Sequence, residues 1–330
     1  MVVFTTSWNL LTSKTNRGVR ETMRTIVQLI GILHQNAFLR LHKLVPAIFL
    51  PSLAWSTTSL RKYTRAVIQA SLDVRKKDPS VSDYFGQFTS AHDPDTGVPA
   101  LTRTEVRLNS SNFIIAGSDT TSSSMAATFY YLARHPDAYA KVAHEVRSTF
   151  GSPDEIRTGP ALTGCVYLRA AINEAMRMCP VAPQPLWRAA EQGGCVVDGQ
   201  VIPAGLVVGA GIYSLHRNPV AFPDPYKYDI ERWIVHGTTD AEEDVEKARI
   251  KEMSRSFAPF SVGQRQCIAK NFALMEITLA MANVFWRLDF EKPEGEAARV
   301  GEGPDGEMEF RSYFTSYLEG PMIRFKKRTV

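Results

Sequence analysis

The chain has 330 residues, enough for one large domain or two ordinary ones, and its 44% hydrophobic content supports a sizeable core. Lys and Arg number 38 against 34 Asp and Glu, and this net charge of +4 is too small and too scattered to point to nucleic acid. No apolar run approaches the ~18 residues of a membrane span. The four cysteines, Cys165, Cys179, Cys195 and Cys267, form no Cys-x-x-Cys pair and no zinc-spaced cluster with histidine, as suits a reducing compartment. Cys165, Cys179 and Cys195 read as buried structural thiols.

In chain order, Val19, Met23, Ile26, Val27, Ile30 and Leu33 share one helical face between Asn16 and Phe38. The apolar run from Leu44 to Trp55 contains Pro46 and Pro51 and reads as a loop. Such a loop either packs on the core, dips into a membrane surface or lids a pocket. A second helix is expected from Thr58 to Lys77, a polar loop from Ser90 to Thr102, and a long helix from Thr104 to Arg134. Pro136 opens another helix, and 162–178 is again helical. Residues 195–202 are two β-rich runs around Asp198-Gly199, a hairpin signal. Residues 238–252 are charged and read as exposed, a helix follows Cys267 to about Trp286, and 308–328 alternates enough for strands. Many helices with a few late strands make an α+β chain, mainly helical.

Three local patterns bear on chemistry. Phe260-Ser261-Val262-Gly263-Gln264-Arg265-Gln266-Cys267 places a thiol after a glycine-bearing turn and before a helix, where unpaired N–H groups and the dipole stabilise a thiolate. In the long helix, Gly117 costs about 1 kcal/mol relative to alanine, and Asp119, Thr120 and Thr121 are poor helix formers. A small-residue helix contact and a functional site are both consistent with that stretch. Glu174 and Arg177 lie three apart on one helix face; an isolated pair of this kind is usually a surface ion pair of well under ~1 kcal/mol.

Taken together, these motifs resemble the cytochrome P-450 family of haem-thiolate monooxygenases. Ala116 to Thr121 is similar to its oxygen-binding helix, Glu174-Ala175-Met176-Arg177 to its Glu-x-x-Arg helix, Tyr228 to Trp233 to its downstream arginine motif, and Phe260 to Cys267 to its haem loop. All four occur in family order. The resemblance implies a mainly α fold with small β-sheets, as a single domain over 1–330 that lacks the family's N-terminal third. It implies haem b with Cys267 as axial thiolate, Gly263 in the tight turn, Phe260 beside the porphyrin, and Arg265 and Arg188 on the propionates. Gly117 would open the distal helix, with Asp119 and Thr120 as the proton-handling pair. Glu174, Arg177 and Arg232 would form a buried triad behind the haem loop. Ile115, Ala116, Val181, Ala182 and Phe314 would border an apolar small-molecule substrate.

The implied function is insertion of one oxygen atom from O2 in secondary-metabolite biosynthesis, with electrons from NADPH through a separate reductase. The implied place is the cytoplasmic face of the endoplasmic reticulum, with peripheral membrane contact through the stretch from Leu44 to Trp55. Ala269 stands where many members have glycine, and Ile230 where they have proline. The early helix that gives the family a Trp and an Arg for the propionates has no counterpart. The alternative is a truncated, non-catalytic haem-binding or degenerate protein. A cysteine hydrolase is disfavoured because Cys267 has no convincing His/Asn partner.

Overall fold

The computed structural model describes Phe4, Lys14 and residues 17–38, 45–81 and 83–328. The chain divides into two compact units, Met1–Thr120 and Thr121–Val330. The boundary falls inside one long helix.

The first unit holds α1 (Gly18–Phe38), α2 (Val45–Lys77), α3 (Tyr84–Ser90) and the first part of α4 (Arg103–Leu132). Val19, Met23, Ile26 and Val27 of α1 are buried as their spacing predicts. Ile30 is 40% exposed, and Leu29 is buried in its place. The face drifts by one residue because 3.6 residues per turn does not hold a fixed stripe over five turns. Asn16 lies outside the described residues, as does the side chain of Leu33.

The expected loop from Leu44 to Trp55 is instead the start of α2; Leu44 itself lies outside the described residues. Pro46 sits in the first turn, where its missing N–H has no intrahelical partner to lose. Pro51 is interior and costs roughly 3 kcal/mol. That cost is borne by a 33-residue helix whose inner stripe continues through buried Ser56, Leu60, Thr64, Val67 and Ser71. The stripe is half polar, so hydropathy alone does not reveal it. Thr64 and Ser111 hydroxyls meet across α2 and α4 at 3.2 Å.

α3 was not apparent in the sequence: Asp83 caps it, accepting from the Gly86 N–H at 2.6 Å. A Cβ at Gly86 would come 2.3 Å from the Arg75 guanidinium of α2, so a larger residue there would make that flexible side chain shift.

The second unit contains the rest of α4, then α5 (Pro136–Thr149), the single turn α6 (Pro160–Thr163) and α7 (Val166–Met178). Next come β1 (Arg188–Ala189), β2 (Cys195–Val197), β3 (Gln200–Ile202), β4 (Val207–Val208) and α8 (Ile212–His216). α9 (Asp240–Ser254), α10 (Lys270–Arg287), β5 (Leu288–Glu291), β6 (Phe310–Ser312), β7 (Ser316–Leu318) and β8 (Arg324–Lys327) complete it. Among the described residues the strands pair as four antiparallel ribbons: β1 with β4, β2 with β3, β5 with β8 and β6 with β7. The β2–β3 hairpin has the expected turn, with Asp198 at φ 47° and Gly199 at φ 74°. β5 escapes a pattern search because it follows α10 with no turn residue between them.

The core of this unit is built from α4, α5, α7 and α10. Tyr131, Val142, Val146, Leu168, Ile172, Ala175, Ile277, Met281 and Phe285 are all buried in one cluster. Tyr131 stacks on Tyr228 with centroids 4.8 Å apart, and the Tyr228 hydroxyl donates to Ala171 O of α7 at 3.1 Å. This ties the irregular stretch after α8 to the helix that carries Glu174.

Cys165 and Cys179 are buried as expected, and burial pushes the Cys179 thiol up to about 12. Cys195 is exposed, contrary to expectation, because it lies on the open β2–β3 hairpin. The charged run 238–252 is a helix with a complete capping box between Thr239 and Glu242. Thr239→Ala should therefore cost about 1 kcal/mol of local helix stability. Hydrogen exchange at the first-turn amides reads this out, and unchanged protection at Glu242 and Glu243 would refute it.

Candidate haem-loop site

The best-defined polar cluster lies beside α7. Helical spacing puts Glu174 and Arg177 on one face, and both are wholly buried. Their pairing is two-pronged: Arg177 Nε donates to Oε2 at 2.9 Å and Nη2 to Oε1 at 2.8 Å. The other guanidinium protons go to carbonyls. Nη1 donates to His216 O at 2.9 Å and Pro225 O at 2.7 Å, and Nη2 to Lys227 O at 3.1 Å.

Glu174 accepts further bonds from Arg232 Nε at 3.3 Å, the Asp229 N–H at 3.0 Å and Trp233 Nε1 at 2.9 Å. The three residues expected to act together, Glu174, Arg177 and Arg232, are thus brought into one cluster. Trp233 and the Asp229 backbone are members that sequence reasoning missed. The only signal was Trp233 standing next to Arg232. A buried pair is costly unless every remaining donor and lone pair is used, and here they are.

The Cys267 loop follows from α9. Ala258 O accepts from the Ser261 N–H at 3.0 Å, closing a turn in which Ser261 has φ 60°. Gly263 has φ 76°, and nothing lies within 4 Å of the Cβ it lacks, so backbone conformation rather than crowding demands glycine. Gly263–Arg265 forms a 3-10 turn, and Phe260 O accepts from the Cys267 N–H at 2.9 Å. That bond sets where the thiol leaves the backbone. Phe260 is half-buried against the core and anchors the loop.

By contrast, Val262 through Ile268 are exposed; Val262 is 67% exposed and Ile268 fully so. An exposed thiol flanked by bare apolar side chains is the arrangement of a cradle for a flat apolar group. Arg265 is exposed and pairs with no carboxylate among the described residues. Arg188, on β1, is also exposed, and its Nη1 donates to Leu186 O and Trp187 O at 3.2 and 2.9 Å. Both cations are available to an anion.

Gly117, Asp119 and Thr120 lie in the first unit, near the end of its share of α4. Thr120 Oγ1 donates to Ala116 O at 2.6 Å, and Ser118 Oγ donates to Ile114 O at 2.5 Å. These back-bonds are how the helix accommodates a run of hydroxyl residues. Ala116 and Gly117 are exposed, with no atom within 4 Å of a Cβ built on Gly117. Ile115 is half-buried against the first unit's core.

In the second unit, Val181 O accepts from the Ser316 N–H at 2.7 Å, so Val181 lies two residues in register from Phe314 at the tip of the β6–β7 ribbon. Val181 and Ala182 are half-buried, and Phe314 is 39% exposed. A cavity of about 550 Å³ lies nearby, but it is lined by Gln184, Tyr213, Asp305, Glu307, Glu309 and Phe310 among others. None of the expected pocket residues borders it.

Among the described residues no group of three or more His, Cys, Asp or Glu could hold a bare metal ion. A lone exposed thiol instead suits a metal that arrives with its other ligands already in place, as iron does in a porphyrin. Bare apolar neighbours for a ring and the exposed Arg265 guanidinium two residues before the thiol are compatible with such a group. The residues present fit haem.

The cytochrome P-450 family model matches residues 1–304. The chain is 36% identical to cytochrome P-450 monooxygenase atnE of Emericella nidulans, over 100% of this chain and 61% of that protein. It is 34% identical to cytochrome P-450 monooxygenase lcsN of Purpureocillium lilacinum, over 99% of this chain and 95% of that one. Among solved structures, the cytochrome P450DA heme domain is similar at a TM-score of 0.65 and 27% identity, over 83% of this chain and 55% of that one. The chain thus spans about three-fifths of the length of the Emericella relative. A family match over most of the chain, a mainly helical fold with small sheets shared with a solved member, and a haem-compatible cysteine loop agree: this chain belongs to the cytochrome P-450 family, for which haem is the cofactor.

Proposed function

We propose that the protein is a haem-thiolate monooxygenase that inserts one oxygen atom from O2 into an apolar small molecule of fungal secondary metabolism. The observation that carries this reading is the Cys267 loop. It is the one exposed thiol set on a closed turn, by the Phe260 O bond, beside bare apolar residues. The fungal monooxygenases to which the chain is similar support the reaction class.

When bound, haem supplies dioxygen activation driven by electron density from the thiolate. Cys267 Sγ would hold the iron, with Arg265 and Arg188 neutralising the propionates. Asp119 would take protons from solvent and pass them to Thr120 Oγ1, which must first release Ala116 O. Gly117 would leave room beside them, and Ile115, Ala116, Val181, Ala182 and Phe314 would exclude water from an apolar substrate. Electrons would come from NADPH through a separate reductase. The protein would work at the cytoplasmic face of the endoplasmic reticulum, with the first turns of α2 on the membrane surface. No helix among the described residues is long and apolar enough to cross a membrane.

The test is spectral. Haem-loaded protein, reduced under carbon monoxide, should show the strongly red-shifted Soret band of thiolate ligation, and Cys267→Ala should abolish it. Persistence of that band in the variant would exclude Cys267 as ligand.

A further inference from the structure

His216, the last residue of α8, is wholly buried and makes two ring hydrogen bonds that point in opposite directions along the chain. Its Nδ1 lies 3.2 Å from Arg177 O, at the end of α7. Its Nε2 lies 3.0 Å from the Ala258 backbone nitrogen. An amide N–H can only donate, so Nε2 accepts and the proton sits on Nδ1, which donates to Arg177 O. One neutral tautomer satisfies both partners. The carbonyl of His216 also accepts from Arg177 Nη1 at 2.9 Å, so the residue is gripped from both its backbone and its ring. Phe257 lies against the imidazole, with centroids 5.2 Å apart.

Ala258 is no ordinary acceptor's neighbour. Its own carbonyl closes the turn with Ser261, and the next carbonyl but one, Phe260 O, takes the Cys267 N–H. We propose that His216 is a positioning residue for the thiolate. It couples the buried Glu174–Arg177 pair to the turn that aims Cys267, through Ala258. Arg232 itself ends on the backbone carbonyl of Asp224 at 2.8 Å, while Trp233, bonded to Glu174, meets the start of the turn only by ring packing on Phe257, with centroids 4.6 Å apart. His216 differs in that it joins α7 to that turn by hydrogen bonds at both ends of its ring. This role rests on Cys267 being the haem ligand, but the geometry exists in the protein without haem and is testable there.

Two substitutions separate the two bonds. His216→Asn keeps a donor near the Nδ1 position but is too short to reach Ala258. His216→Gln places an acceptor at the reach of Nε2. In the protein without haem, exchange of the Ala258 and Cys267 amides should rise at least tenfold in the Asn variant and stay near wild type in the Gln variant. Exchange in α9 should not change in either. In haem-loaded protein under carbon monoxide, the red-shifted fraction should fall severalfold for Asn and be restored by Gln. Equal exchange at 258–267 in the two variants, or loss of the fold in both, would overturn the role of His216. A wild-type protein without the red-shifted band would instead defeat the haem-thiolate reading, while the exchange data would still decide whether His216 holds the turn.

Discussion

Replacing Glu174 by alanine is expected to destabilise the second unit by about 3–5 kcal/mol, the range for breaking one partner out of a buried ion pair. The size follows from what is left behind. Arg177 stays fully buried with both of its bonds to a carboxylate gone, and the Trp233 Nε1 and Asp229 N–H donors lose their acceptor as well. Water cannot easily replace the carboxylate at a site with no exposed surface. Arg232→Ala should cost less, about 1.5–3 kcal/mol, since it removes one bond to a charged group and leaves the Glu174–Arg177 pair intact. Urea unfolding of each variant measures both. Equal losses, or a loss under 1 kcal/mol for Glu174→Ala, would show that the cluster is not the support inferred here. Against a typical domain stability of about 5–15 kcal/mol, the larger loss removes much of the margin.

The second large effect is a pH dependence that belongs to His216. Burial lowers its pKa from 6.5 to about 3. The bond to Arg177 O works in the opposite direction, and the charges of Arg177 and Arg217 reinforce the lowering. The unfolded chain takes up a proton near pH 6.5 while the folded chain does not. Acidification below 6.5 therefore favours the unfolded state, and the loss levels off near pH 3, below both values. The slope approaches about 1.4 kcal/mol per pH unit within that window.

Carboxylates held low by partners, such as Asp289 beside Arg147 and Glu302 beside Lys292, contribute losses of their own, but only in the acid range where carboxylates titrate. The span from pH 6.5 to 5 is thus the informative one. Wild type should lose about 1.6 kcal/mol there relative to His216→Gln, which carries no titrating ring. Unfolding midpoints of the two proteins at several pH values provide the comparison. Parallel curves would mean that the imidazole is hydrated or protonated in the folded state.

Much of the site was legible because its signals are short in sequence. Gly263 and Cys267 belong to one loop, and Glu174 and Arg177 to one helical turn, so fixed offsets reveal them. The same holds for the β2–β3 hairpin at Asp198-Gly199. The start of α2 is hidden in the sequence for the converse reason. Pro46 and Pro51 are strong local breakers, and what outweighs them is a half-polar stripe from Ser56 to Ser71 that only contact with the rest of the first unit makes favourable. Cys195 was misjudged because cysteine is usually buried, whereas an open hairpin leaves its residues in solvent.

The sequence by itself determined the helix-rich class, the thiol at a glycine turn, the ion-pair partners on α7 and, through the joint order of four motifs, the family. Tertiary structure alone decided which groups complete the supports. Trp233 reaches Glu174 across 59 residues and His216 reaches Ala258 across 42. It also placed the cavity around Tyr213 and Glu307 on residues other than those expected at the substrate. The reason is physical. Periodicity and turn chemistry act over a few residues, so they are written locally. A buried donor or acceptor must instead find its partner wherever packing brings the chain together, and nothing in the local pattern of Ala258 records that an imidazole will be there.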